Sequence, residues 1–224
     1  MSDITDKTAI RDAASILLVR ASPEGPQVLM GQRGAQAAFM PEKFVFPGGA
    51  LDPGDATIPL ATPLNPDCTA RLGRGHASPH ALAAAAIREL WEETGLPLGV
   101  PSDWPDAPED WRGFAARGLR PDAGALRFIF RAITPPGRPR RFDARFFLAD
   151  ASHVIGDLDD FSAACEELSH LHWVPMAEAR RLNLPFITEV VLAEAEATVR
   201  GEAMTPSVPF FDNSTGVSTF RRIA

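Results

Sequence analysis

The stretch from Ser78 to Pro97 constrains this chain more than any other, because it carries both ends of a helix around an unusual middle. Ser78 has a side chain that accepts from the orphan amides of a helix start, and Pro79 sits where a missing N–H costs nothing. Thr94-Gly95, followed by Pro97, supplies the stop. On a wheel advancing roughly 100° per residue, Ala83, Ala84, Leu90, Trp91 and Thr94 fall in a stripe around Ile87. Arg88, Glu89, Glu92 and Glu93 fall on the other side. The expectation is a helix with one face to bury and one face lined by carboxylates.

That second face is energetically odd. Glu89 with Glu92, and Glu89 with Glu93, are like-sign neighbours, each pair costing roughly 0.2–0.5 kcal/mol on an exposed helix. Glu92 and Glu93 also lie near the C-terminal end, where the macrodipole disfavours negative charge. Arg88, four residues before Glu92, neutralises only part of this. A hard divalent cation would offset the rest, since carboxylate oxygens are its preferred ligands. An arbitrary glutamate trio is more often a solvated acidic face, so the surrounding residues have to decide.

Around the helix, short apolar runs alternate with turn residues. Ala13 to Arg20 reads as a strand, Ser22 to Pro26 as a turn and Gln27 to Arg33 as a returning strand. Phe44-Val45-Phe46 leads to Pro47-Gly48-Gly49, where the backbone must turn sharply or approach something closely. Leu126 to Thr134, Phe142 to Leu148 and His170 to Val174 read as strands. Met176 to Leu182 and Ile187 to Arg200 read as helices. Leu51 to Ser78 lacks a clear period and reads as a surface excursion with little share in the core. Trp104 to Gly118 reads as a second, short helical insertion. Met204 to Ala224 receives no assignment. With no internal repeat and no second core, the chain reads as one α/β domain over 10–203 and a tail over 204–224. Its insertions fall at about 56–77 and 97–124.

Composition narrows the function classes. A chain of 224 residues that is 45% hydrophobic can build a core, yet no run approaches the roughly 18 apolar residues of a membrane helix. Met1 to Asp12, with Asp3, Asp6, Lys7 and Arg11, is unlike a signal peptide. A formal charge of -7, a pI near 5.2 and no long basic run weigh against a nucleic-acid partner. Cys68 and Cys165 have no metal-like spacing and read as unpaired thiols suited to a reducing cytoplasm. Of 22 basic residues only Lys7 and Lys43 are lysines, a skew typical of a GC-rich bacterial genome.

The residues Arg88-Glu89-Leu90-Trp91-Glu92-Glu93-Thr94-Gly95-Leu96 resemble the second half of the Nudix box, R-E-U-x-E-E-x-G-U, with every fixed position matched. Gly49 to Asp55, preceded by Phe46-Pro47-Gly48, resembles the first half. Asp55 stands where that family has Glu. Between Asp55 and Arg88 lie 32 residues, Ala56 to Ile87, where the family has seven, an insertion of 25. A box split in this way is similar to the branch that contains peroxisomal coenzyme A diphosphatases, as are Arg141 to Leu148 and Trp173-Val174-Pro175. The terminal Arg222-Ile223-Ala224 is not a peroxisomal address. The resemblance covers roughly Ala13 to Glu194.

The resemblance implies a Nudix-type α/β/α sandwich with a mixed β-sheet and a loop–helix–loop motif. It implies Mg²⁺ or Mn²⁺ held by Glu89, Glu92, Glu93 and the Gly48 carbonyl. The implied reaction is attack of water on the diphosphate of a small-molecule nucleoside diphosphate derivative. Glu89 is the first choice of general base, and Glu167, six residues before Trp173, the second, against the reading of an ordinary surface acid. Arg88 is expected to orient Glu92 through a charge-assisted hydrogen bond. Arg33 and Arg145 are candidates to hold phosphates, although arginines at strand ends are more often solvated. His80, His170 and His172 fit no usual zinc spacing. Trp104 and Trp111 read as packing under the insertion rather than as base-stacking rings.

The branch likeness leans toward coenzyme A or acyl-coenzyme A as substrate, with Arg74, Arg138, Arg140 or Arg141 meeting the 3′-phosphate. A non-catalytic Nudix-fold sensor is the alternative, and the survival of all three glutamates counts against it. An isomerase on this scaffold would need a pocket Cys and Glu, and neither Cys68 nor Cys165 stands in such a context. The expected setting is cytoplasmic, without a membrane or nucleic-acid partner, and a homodimer is left open.

Overall fold

The computed structural model describes residues 9–37, 39–202 and 207–224. Asp3, Asp6 and Lys7 of the charged N-terminus, and Met204 at the start of the tail, lie outside those residues. The strands are β1 (Ile10–Arg20), β2 (Gln27–Arg33), β3 (Phe44–Val45), β4 (Gly48–Ala50), β5 (Gly99–Pro101) and β6 (Leu119–Pro121). They continue as β7 (Arg127–Ile133), β8 (Arg141–Asp150), β9 (Leu168–Pro175), β10 (Val208–Asp212) and β11 (Thr219–Ile223). The helices are α1 (Pro66–Leu72), α2 (Pro79–Thr94), α3 (Arg112–Ala115), α4 (Met176–Ala179) and α5 (Phe186–Val199).

β1 shows why a central sheet forms. Ala14, Ile16 and Leu18 pack into a cluster on one side, Leu17 and Val19 into a cluster on the other. That is the period of two expected of a strand buried on both faces. Among the described residues nine strands join one mixed sheet in the order β11-β10-β7-β8-β1-β2-β3, with β4 also on β1 and β9 also on β2. β1 runs parallel to β8, and β10 parallel to β7. The small apolar residues of α2 close one face, and Val191, Leu192 and Ala195 of α5 close the other. The result is the α/β/α sandwich that the resemblance implies.

The bounds of α2 follow its caps. The Ser78 side chain accepts from the Ala81 N–H, and Gly95, left-handed at φ 75°, donates to the Trp91 carbonyl. The wheel needs correcting, however. Arg88, Glu89 and Glu93 are buried along with the apolar stripe, so the carboxylate side is not an open face. Its cover comes from Gly48, Gly49 and Ala50 of β4 and from Asp55, while the two insertions pack on the apolar side of the helix. The segment 56–77 was expected to stay out of the core, yet Ile58, Leu64, Cys68 and Leu72 lie within the α2-side cluster. α1 forms there, capped by the Asn65 side chain on the Cys68 N–H at 2.8 Å. His80 Nε2 lies 2.8 Å from the Ile58 carbonyl and ties this segment to α2. The second insertion brings Trp104, Trp111 and Phe114 to the same cluster, the two tryptophans 5.6 Å apart, so they pack as expected.

The C-terminal segment also departs from the sequence reading. Phe210 and Phe211 of β10 pair with Arg131 and Ala132 of β7, and β11 pairs antiparallel beyond it. Residues 208–223 are therefore part of the sheet rather than a tail appended to it.

Candidate active site

The glycines of β4 explain how α2 can press carboxylates against backbone. A Cβ on Gly48 would stand 2.3 Å from Ser15 Oγ and 2.6 Å from the Ala14 carbonyl. A Cβ on Gly49 would stand 2.3 Å from Glu89 Oε1, inside the space that the carboxylate occupies. The Gly48 N–H donates to Glu93 Oε2 at 2.8 Å. Any side chain at Gly49 would push Glu89 away, which ties the glycine directly to the glutamate.

Arg88 organises the polar side of α2. Its Nε and Nη2 donate to the two oxygens of Asp55 at 3.0 and 3.1 Å. Nη1 donates to Glu89 at 2.9 Å and to Glu92 at 3.0 Å, and Nη2 also reaches the Ala50 carbonyl at 3.1 Å. Burial alone would make this guanidinium easier to deprotonate, but the Asp55 hydrogen bond and the charges of Glu89, Asp55 and Glu92 reverse that, so its pKa rises. Asp55 is itself buried and accepts from the Asp52 N–H at 2.8 Å. Asp55 thus anchors Arg88 and the turn Pro53–Thr57, which accounts for a shorter acid at that position.

The remaining electrostatics are strongly negative. Burial raises Glu89 to about 7, with Arg88 opposing and Glu92 and Glu167 adding to the rise. Glu93 goes well above the usual carboxylate range through burial and then through the charge of Glu89. Glu92 is raised by burial as well. Glu167 stands opposite, its Oε1 accepting from Arg33 Nη2 at 2.9 Å. Six carboxylates (Asp52, Asp55, Glu89, Glu92, Glu93 and Glu167) therefore share this region with two guanidinia, Arg33 and Arg88.

Among the described residues Glu93 Oε1 is buried without a hydrogen-bond partner. An unpaired buried oxygen next to a raised carboxylate is a position that a hard cation satisfies. Among the described residues no three Asp, Glu, His or Cys side chains already converge as a metal cluster. The reason is visible in the bonds above: Arg88 holds Glu89 and Glu92, and the Gly48 N–H holds one oxygen of Glu93. The chemistry of the donor set, carboxylates beside backbone carbonyls, fits a hard divalent ion.

Of the sequence candidates, Gly48, Arg88, Glu89, Glu92, Glu93, Glu167 and Arg33 are brought together. Arg145 is not. It is buried between Asp12 and Asp143, donating to Asp12 Oδ1 and to the Asp143 carbonyl at 2.7 Å, so it serves an ion network beside the site. Arg141 is spent on the carbonyls of Thr134, Asn213 and Ser214. Arg138 lines a separate apolar cavity and Arg74 a polar recess. Sequence reasoning missed Asp52, 3.7 Å from Arg88, although Asp52 and Asp55 flank Pro53-Gly54 in a capping-box spacing.

No family model matches the chain. A crystal structure of a Nudix hydrolase from Alicyclobacillus acidocaldarius is 31% identical, with a TM-score of 0.63 over 83% of this chain and 90% of that one. The chain belongs to the Nudix hydrolase family. Within that family, nudix hydrolase 7 of Caenorhabditis elegans is 30% identical across 75% of this chain and 52% of its own length. The acyl-coenzyme A diphosphatase NUDT19 of Gallus gallus is 28% identical across 62% of this chain and 54% of its own. The chain spans about half the length of these curated Nudix relatives. No helix among the described residues is long and apolar enough to cross a membrane.

Proposed function

We propose that the chain is a divalent-metal-dependent hydrolase that cuts the diphosphate bond of a nucleoside diphosphate derivative, with coenzyme A or acyl-coenzyme A as its substrate class. The observation that carries this reading is the unpartnered Glu93 Oε1, buried beside a Glu89 carboxylate that lies directly on Gly49. Glu89, Glu92, Glu93 and the Gly48 carbonyl would hold Mg²⁺ or Mn²⁺. When bound, the ion supplies Lewis acidity toward the diphosphate oxygens and a more acidic water.

The protein groups have separable tasks. Glu89, raised by burial to about 7, would take the proton of the attacking water. Glu167, whose Oε1 accepts from Arg33, would be the second choice for that proton. Arg88 is a positioning residue, fixing Glu89 and Glu92 while Asp55 fixes it. An apolar cavity on the α5 side of the sheet offers room for the organic half of the substrate. The loop after Arg33 leads to Phe39, Met40 and Lys43, which line an apolar cavity of about 770 Å³ with Phe186, Phe211 and Arg138. A cavity that apolar suits a pantetheine or acyl arm better than a second charged group. The likeness to an acyl-coenzyme A diphosphatase and the split box support the same substrate class.

The test is a panel of coenzyme A, acyl-coenzyme A, ADP-ribose and a dinucleoside polyphosphate, each with Mg²⁺, Mn²⁺ or EDTA, with products identified by mass spectrometry. The expected result is release of adenosine 3′,5′-bisphosphate and a phosphopantetheine, abolished by EDTA. A preference for ADP-ribose or the dinucleotide would remove the coenzyme A assignment. Tight binding without turnover of any member would replace the hydrolase with a ligand-binding module.

A further inference from the structure

The β7–β8 pair carries two small residues where its neighbours are large. Ala132 and Ala144 are register partners, and the same row places Phe211 of β10 beside Ala132. All three belong to the α5 side of the sheet, as does Phe146, two residues beyond Ala144. The alanines therefore leave a trough between phenylalanines. It floors the cavity of about 770 Å³, whose walls are completed by Phe39 from the loop after β2 and by Phe186 at the start of α5.

Most polar side chains along this cavity are already engaged. Asn213 is held at both ends of its amide, donating to the Ile133 carbonyl at 3.0 Å and accepting from the Ser218 hydroxyl. Thr134 Oγ1 accepts from the Phe142 N–H at 3.0 Å, and Lys43 Nζ donates to Asn183 Oδ1 and to the Leu184 carbonyl. Arg138 stands exposed on the hairpin between β7 and β8, where its head group stays in water. A purine entering here would give up water at its ring nitrogens and amine for walls whose polar groups are already paired. The amides of a pantetheine would fare no better. An alkyl chain loses nothing and gains by burial.

Reach favours the same occupant. The row of Ala132 and Ala144 continues across the sheet as Ala13 of β1 and Ala50 of β4. Ala144, on the nearer side of the cavity, is two strand spacings from Ala50, about 10 Å. A pantetheine arm has about the backbone length of four residues, about 14 Å when extended. Among the described residues β4 pairs with β1 alone, so an arm leaving the glutamates can pass its free edge to the α5 side. Such an arm brings its sulfur to the cavity, and what lies inside is the group that the sulfur carries.

Given a coenzyme A-class substrate, as proposed above, we infer that this cavity is the acyl-chain site, and that its Ala132–Ala144 floor makes the enzyme select acyl-coenzyme A with a linear chain over free coenzyme A. Calorimetric titration of metal-free protein in EDTA with coenzyme A, butyryl- and octanoyl-coenzyme A, and octanoate alone, tests it. Affinity should rise with chain length by up to about fourfold for each methylene buried, leaving octanoyl-coenzyme A at least about tenfold tighter than coenzyme A. Ala144→Leu, which fills the floor, should erase most of that gap. Phe186→Ser, at a ring that is 68% exposed, should narrow it by about fourfold, the effect of one buried methylene. Thermal melting checks that both variants fold, and the exposed position still reports if the floor variant does not. Equal affinities for coenzyme A and octanoyl-coenzyme A, or a gap that no folded variant narrows, would overturn the inference. Octanoate alone binding as tightly as octanoyl-coenzyme A would make the cavity a free fatty-acid site and overturn it as well. A protein that shows the gap but cuts no diphosphate keeps the acyl site and loses the hydrolase, and one that cuts coenzyme A without the gap does the reverse.

Discussion

Asp55 is the residue whose role differs most from what its position in the box suggests by itself. Its two oxygens take Nε and Nη2 of Arg88, and both partners are buried. Removing one partner of such a pair leaves the other charge buried and uncompensated. Asp55→Ala should therefore cost about 3 kcal/mol of stability, read from the denaturant midpoint, because Glu89 and Glu92 offset only part of the loss. A cost below about 0.5 kcal/mol, the level of a surface change, would contradict the anchoring role. Glu89 makes the second prediction at this scale. An unfolded glutamate releases its proton at about pH 4.3, whereas burial holds the folded one to about 7. Between those values the folded chain binds a proton that the unfolded chain has lost, so this stabilisation is full below the lower value and gone above the upper. Metal-free protein should melt at a lower temperature at pH 8 than at pH 5.5, and Glu89→Gln should flatten that slope. A melting temperature that climbs over this range, or a slope unchanged in the variant, would count against it.

Elements differ in how readily the sequence shows them. α2 was legible to the residue because its caps are local: Ser78, Pro79 and Gly95 act on their own turns. β1 and β2 were legible because strands buried on both sides are simply apolar. α1 could have been read, since Asn65-Pro66 is a start signal and Leu64, Cys68 and Leu72 recur every fourth residue, but loop-forming residues around it masked the stripe. β10 and β11 could not, because Pro209, Arg221 and Arg222 obscure the alternation and the strands depend on β7, distant in sequence. The burial of α1 also sets an expectation for the box insertion. Deleting 56–77 should expose the outer side of α2 and destabilise the fold, and Leu72→Ala alone should cost about 2–5 kcal/mol. A deletion variant melting within a few degrees of the parent would show the segment to be dispensable.

At the scale of the whole molecule, two charge systems share one face of the sheet. Over β4 an acidic cluster is held by Arg88 and Arg33, and over β7 and β8 an ion network joins Arg131 and Arg145 to Asp12 and Asp143. The core of the acidic one was legible because Glu89, Glu92 and Glu93 sit on a single helix. Arg145 was misread because its partners, Asp12 and Asp143, become neighbours only through the parallel pairing of β1 with β8. The central claim is that α2 carries a cation site that cuts diphosphates, and Glu93 is where it is most exposed to test. Turnover of a diphosphate substrate should be measured against Mg²⁺ concentration for the parent and for Glu93→Gln, with thermal melting of both alongside. Turnover should fall by about a hundredfold or more, and the melting temperature should no longer rise on adding Mg²⁺, while the variant stays folded. Parent-like turnover with an unchanged response to Mg²⁺ would contradict the account.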